Sequence, residues 1–190
     1  AANFTSAIDY GADGPGSVAY SLVLNGTNVG SGLYALDPSN TTPGQYGKGA
    51  EIVLNQSGNV ITGSAGGTDY FTITLDPATG DVTLDQLAAI WHGDPNDDND
   101  SETLTTAQTS DLQFTVTVTD ADGDTASEYL DLGAGVFTFY DDAPSIDADA
   151  VGEADELEVD ETDLATNATV NLAANFTSAI DYGADGPGSV

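Results

Sequence analysis

The stretch DLQFTVTVTDADGDTASEYLDL, residues 111–132, decides the fold class. From Phe114 onward apolar and polar residues alternate: Phe114, Val116 and Val118 fall on one face and the threonines on the other. Successive side chains of a strand point to opposite faces, so this period of two marks a β-strand with one buried and one wet side. The alternation stops at Asp120, where Asp120, Asp122 and Asp124 crowd around Gly123. Asp and Gly are turn formers, and EYLDL (128–132) resumes the strand pattern. The segment predicts an antiparallel hairpin closed by an acidic turn.

The same pattern extends across the chain. VAYSLVLN (18–25) puts Val18, Tyr20, Leu22 and Leu24 on one face. AEIVLN (50–55) and NVITGS (59–64) read as a hairpin turning through Gln56–Gly58, and DYFTITLD (69–76) directs Phe71, Ile73 and Leu75 inward. DVTL (81–84) and VFTFYD (136–141) are further strands. Many short, one-sided strands with Gly and Asp turns predict an all-β, antiparallel sandwich. Its core is expected from Phe4, Phe71, Phe114, Phe137, Phe139, Trp91 and the aliphatic residues. LDQLAAIWH (84–92) is the one stretch with helical character and predicts a short helix plugging one end.

Composition narrows the function. The chain carries 32 acids against one Lys, Lys48, one His, His92, and no Arg, for a formal charge of −31. Phosphate contacts need Lys and Arg, so nucleic acid is excluded as a partner. Anionic membrane surfaces are disfavoured for the same reason, and no apolar run reaches the roughly 18 residues of a membrane span. Such a charge also opposes compaction by self-repulsion, which cations relieve. Of the acids 25 are Asp and 7 are Glu. Asp favours turns over helices, so the charge belongs to loops. Cysteine is absent, which removes disulfides and thiolate metal sites.

The organising feature is an identity. AANFTSAIDYGADGPGSV fills residues 1–18 and recurs letter for letter at 173–190, an offset of 172. Packing demands would preserve a pattern, not every surface residue. The identity therefore reads as a window on a tandem array, expected to be cut from a longer chain and probing slightly more than one period. The bead is assigned to 1–142. Pro144 interrupts the ladder and biases Ala143 towards extended backbone, so 143–172 reads as an acidic connector carrying the first strand of the next bead, within ELEVDETDL (156–164). Residues 173–190 begin the next repeat, and the sequence leaves open whether they fold back onto this bead. The expected partners are identical neighbouring repeats, with the isolated piece monomeric.

The acids cluster in four places: Asp120, Asp122 and Asp124; Asp94, Asn96, Asp98 and Asp100, with Asp97 and Asn99 between them; Asp141 and Asp142, followed by Asp147 and Asp149; and Asp160, Glu161 and Asp163. Calcium takes six to eight oxygens at about 2.3–2.6 Å, which clustered carboxylates and amides supply. The Asp94-x-Asn96-x-Asp98 spacing is like the start of an EF-hand loop, but Asn99 stands at the glycine position and the terminal Glu is absent. The other reading is a solvated acidic surface. Like charges this close disfavour full ionisation without a counterion, so Ca2+ is expected at Asp120, Asp122, Asp124, Asp94, Asn96, Asp98, Asp100, Asp141, Asp142, Asp160 and Glu161. No catalytic constellation is legible. A lone His92 lacks a partner for zinc or acid–base work, and the paired acids sit in turns and not across a cleft.

GADGPGSVAYSLVL, GDVTLDQLAAIWH, LQFTVTVTDADGDTAS and the closing DDAPSI together resemble the repeated extender modules of bacterial RTX adhesins, with the likeness covering most of 1–146. The resemblance implies calcium-bound β-sandwich beads, immunoglobulin- or cadherin-like, that hold a ligand-binding tip away from the cell. It also implies type I secretion, an extracellular position on the bacterial surface, and a structural and not an enzymatic role. The glycine-rich nonapeptide repeat of RTX proteins is absent. The alternative is an adhesin module that itself binds carbohydrate or protein, near Trp91.

Overall fold

The computed structural model describes residues 8–147, 153, 156–176 and 179–186. Phe4 and Asp149 lie outside the described residues. The chain divides into two compact units, 1–141 and 142–190.

Among the described residues the strands of the first unit all pair antiparallel. Strands β1 (Pro15–Leu24), β8 (Leu112–Asp120) and β9 (Thr125–Asp131) form one sheet in the order β1-β8-β9. A second sheet runs β2 (Val29–Leu36), β3 (Lys48–Ser57), β4 (Val60–Ala65), β5 (Thr68–Leu75) and β6 (Val82–Gln86) in chain order. Strands β7 (Ser101–Thr105) and β10 (Ala134–Tyr140) pair separately. The expected hairpin is present: β8 pairs with β9 from Thr119↔Thr125 to Gln113↔Asp131.

Alternation becomes packing in β8, where Leu112, Phe114 and Val116 are buried and the intervening Gln113, Thr115 and Thr117 are not. They meet Leu22 and Leu24 of β1, Leu33, Ile52, Leu54, Ile61, Phe71, Ile73 and Leu75 of the five-stranded sheet, and Leu104, Phe137 and Phe139 of the third pair in one core. Burying one such side chain stabilises by about 1.5–3 kcal/mol, so a shared core joins the sheets more strongly than any loop contact. Phe71 anchors the centre, fully buried and 5.0 Å from Phe139 between ring centroids. Its ring covers Gly63, its cross-strand partner, and a Cβ at Gly63 would collide with it. Strand β9 is exposed along its whole length and forms the sheet edge. Its Glu128 and Asp131 discourage edge-to-edge pairing.

Several readings of the sequence are corrected. No α-helix occurs among the described residues, and 84–92 is not helical. Leu84 belongs to β6, whose register opposes it to Ile73. Beyond Gln86 the backbone bonds to neighbouring strands: the Leu87 and Ala88 N–H groups donate to the Tyr70 carbonyl and Trp91 N–H to the Tyr34 carbonyl. Ile90 makes a bridge to Ala35 and is buried, while Leu87 is 52 % exposed. A helix would satisfy those donors internally; here carbonyls of β5 and β2 do so, and one buried isoleucine closes the strap. The β3–β4 hairpin turns at Gly58–Asn59, with Gln56 and Ser57 still in the strand. Strands β2 and β7 were not anticipated.

In the second unit, residues 156–164 form no strand. Asp160 Oδ1 accepts the Thr162 N–H at 2.8 Å and Asp163 Oδ1 the Ala165 N–H at 3.0 Å. Those local bonds bend the backbone into turns, and the expected strand is lost. The unit contains a 3-10 turn at Leu172–Phe176 and a short antiparallel pair, β11 (Ser145–Ile146) with β12 (Ile180–Asp181).

Candidate metal centre

The β8–β9 turn closes on the side chain of Asp120. Its backbone N–H donates to the Asp124 carbonyl at 3.0 Å. Its Oδ1 accepts from the Gly123 and Asp124 N–H groups at 3.1 and 2.8 Å. Gly123 sits at φ +102°, a conformation that side chains oppose. Desolvation, the largest single influence on Asp120, pushes its carboxyl up. The Asp122 side chain and the N–H groups of Asp124, Gly123 and Asp122 outweigh it, and the group is held below the ordinary carboxylate value. The backbone N–H groups of the turn thus favour the charged form of Asp120.

A third carboxylate arrives from the far end of the sequence. The pairing of β1 with β8 ends at Pro15↔Asp120, where the register shifts by a residue. The Ala121 N–H donates to the Gly14 carbonyl at 3.1 Å. A Cβ at Gly16 would run into the carbonyls of Thr119 and Asp120, so glycine permits this approach. Asp13, just ahead of the strand, is thereby carried to the acidic turn. Asp13, Asp120 and Asp122 each offer an oxygen, and all three oxygens lie within 4.8 Å of one another. Oxygens on opposite sides of one calcium ion are about 4.6–5.2 Å apart, so the group fits that ion, and hard anionic oxygens suit it chemically. Beside the trio lies a shallow concavity of about 240 Å³ lined in part by Asp9, Asp120 and Asp124.

Among the described residues this is the group in which three ionisable ligands converge. Asp120 and Asp122 were anticipated; Asp124 lies beside the trio, and Asp13 was missed. The other clusters take other forms. In the 94–100 loop Asp100 Oδ2 accepts from the Gly93 and Asp94 N–H groups at 3.1 and 2.9 Å, and Oδ1 from Ser101 at 2.7 Å. The Asp94 N–H bond is the chief cause that holds the Asp100 carboxyl low. Asp94 Oδ1 in turn accepts from the Asn96 backbone and side chain, and Asp97 Oδ1 from Asn99. Asp98 is exposed in the same loop. These oxygens organise the loop's own backbone. The Asp141 N–H donates to the Asp100 carbonyl at 2.8 Å. Asp142 begins the second unit, where Asp160 is held low first by the Thr162 hydroxyl and Glu161 is exposed.

Trp91 lies against Tyr34 and Tyr46. Trp91 Nε1 donates to the Tyr46 carbonyl at 2.7 Å, and its ring meets Tyr34 edge-on at 6.1 Å. Lys48 Nζ lies over both rings, 3.7 Å from the Tyr34 centroid and 4.6 Å from that of Trp91. The Nδ1 of His92 is buried without a hydrogen-bond partner among the described residues. At another place in the first unit an open cavity of about 590 Å³ is lined mainly by apolar side chains, including Leu84, Leu130, Val136 and Phe137.

These features belong to an all-β domain with an acidic turn where three carboxylates converge. The family model of a domain of unknown function, DUF5801, matches residues 1–133, and the chain belongs to that family. No curated protein and no solved structure matches it. Among the described residues no helix is long and apolar enough to cross a membrane.

Proposed function

We propose that the chain is one bead of a tandem array and serves as a calcium-stabilised structural extender of a bacterial surface adhesin, exported by type I secretion. In this reading the two larger sheets form an immunoglobulin- or cadherin-like sandwich, supported by their antiparallel pairing and shared core. The observation that carries the proposal is the origin of the trio. Asp13 comes from the segment repeated letter for letter, where it recurs as Asp185, and it meets the turn acids Asp120 and Asp122. A cation held there ties the chain entering a bead to the end of that bead's first sheet. Tying it fixes the direction in which the bead leaves its predecessor, so the array resists bending. Binding to the folded state adds about 2.7 kcal/mol at a hundredfold excess of ion over Kd. Thermal unfolding in calcium and in EDTA tests this: the midpoint should rise in calcium, and identical midpoints at moderate salt would overturn it.

A further inference from the structure

We propose that successive modules are joined by an antiparallel strand pair, Ser145–Ile146 of one module with Ile8–Asp9 of the next. The inference rests on the tandem-array reading and does not require the metal.

Residues 8–14 and 180–186 are identical in sequence and hold the same local turn. Asp9 Oδ1 accepts the Gly11 N–H at 2.9 Å, and Asp181 Oδ1 accepts the Gly183 N–H at 3.0 Å. Gly11 and Gly183 lie at φ +69° and +67°, Gly14 and Gly186 at +84° and +77°. Their surroundings differ. In the second copy Ile180 pairs with Ile146 and Asp181 with Ser145, and the Asp147 N–H donates to the Ala179 carbonyl at 2.9 Å. The Asp142 carbonyl lies where a Cβ of Gly183 would be, so only glycine admits that strand. In the first copy a Cβ at Gly11 would meet nothing within 4 Å, and among the described residues Ile8 and Asp9 pair with no strand.

The first copy is therefore the same edge without its occupant, and the duplicate identifies the occupant as the 142–147 stretch of a preceding module. An apolar contact supports the match. Ile146 is 63 % exposed in the lone pair. Beside Ile8 lies a concavity of about 140 Å³ whose lining includes Val116, Val118 and Ala126. A strand docked on Ile8 in the observed register brings Ile146 to that cover. Pro144 suits the role, because it has no N–H to extend the preceding ladder and biases Ala143 towards extended backbone ahead of the new pair.

The test uses a two-module chain, residues 1–172 followed by 1–190, in which position 180 is Ile8 of a complete second module. Paired positions across antiparallel strands bring Cβ atoms to about 4.5–5.5 Å, close enough for a disulfide after small adjustment. The chain has no cysteine, so Ile146→Cys with Ile180→Cys gives an unambiguous cross-link. The pair should oxidise nearly completely in both the 190-residue chain and the two-module chain, in calcium and in EDTA alike. Ser145→Cys with Ile180→Cys, one residue out of register, should cross-link far less. Cross-linking in the short chain but not in the two-module chain, or in neither, overturns the proposal. Hydrogen exchange on the unsubstituted two-module chain reads the same joint without substitutions. The Asp147 amide should be protected at least about tenfold, and exchange at the unfolded rate overturns the proposal.

Discussion

Lys48 is the single Lys or Arg in a chain with 32 acids, yet its ammonium rests on aromatic rings. Among the described residues it makes no ion pair, and it lies 3.7 Å from the Tyr34 centroid and 4.6 Å from that of Trp91. Each such contact contributes about 0.5–1 kcal/mol at a partly exposed site, so two give about 1–2 kcal/mol. Lys48→Met keeps an apolar stem and removes the charge; Lys48→Arg keeps a cation for the rings. Unfolding followed through Trp91, the sole tryptophan, reports on this part of the first unit directly. At about 2–4 °C per kcal/mol for a chain of this size, Lys48→Met should lower the midpoint by roughly 2–8 °C. Lys48→Arg should recover most of the loss. The loss should persist in about 1 M salt, where the Debye length is about 3 Å and attraction to distant carboxylates is screened. A Met variant within about 0.5 kcal/mol of the parent, the usual scatter of surface changes, would refute the reasoning. So would a loss that salt abolishes, because the cause would then be the general field and not the rings.

Gly63→Ala should cost about 1–3 kcal/mol in a denaturant melt, since its Cβ would enter the fully buried Phe71 ring. The carboxyls of Asp37, Asp100, Asp120, Asp160 and Asp163 are lower in the folded state than unfolded. Their stabilisation is fully present above the unfolded value of about 3.9 and is lost as pH falls through the folded values. Urea melts of Asp100→Asn should accordingly show a shallower fall in stability below about pH 4 than the parent; an unchanged slope would contradict the assignment. Asp13→Asn should lower the calcium stoichiometry measured by titration calorimetry, whereas Asp98→Asn, outside the trio, should leave it intact.

The all-β class was legible because the apolar residues of β1, β5 and β8 alternate with a period of two, and burial follows that alternation. Strand β2 escaped notice because its buried face reads Ser31, Leu33, Ala35. Ser31 is fully buried, with its hydroxyl donating to the Ile52 carbonyl at 2.6 Å, and a polar residue at an inward position hides the pattern. Strand β7 offers just Leu104 to the core. The 84–92 stretch is ambiguous because short apolar runs suit either period until neighbouring strands claim the backbone donors. The site was half legible. Asp120 and Asp122 stand out as neighbours in sequence, but Asp13 reaches them through the register of β1 on β8, which composition does not encode. The densest run, 94–100, has the spacing most like a cation loop, and there Asp94, Asp97 and Asp100 accept bonds from the loop's own N–H groups. Asp is favoured there over Glu because its shorter side chain reaches an N–H two residues ahead.

The central claim is that Asp13, Asp120 and Asp122 grip a divalent ion. Equilibrium dialysis of the full chain against calcium, beside the Asp13→Asn, Asp120→Asn double variant, tests it most directly. The parent should hold calcium that the double variant loses; a parent that retains none, or a variant that retains as much, contradicts the claim.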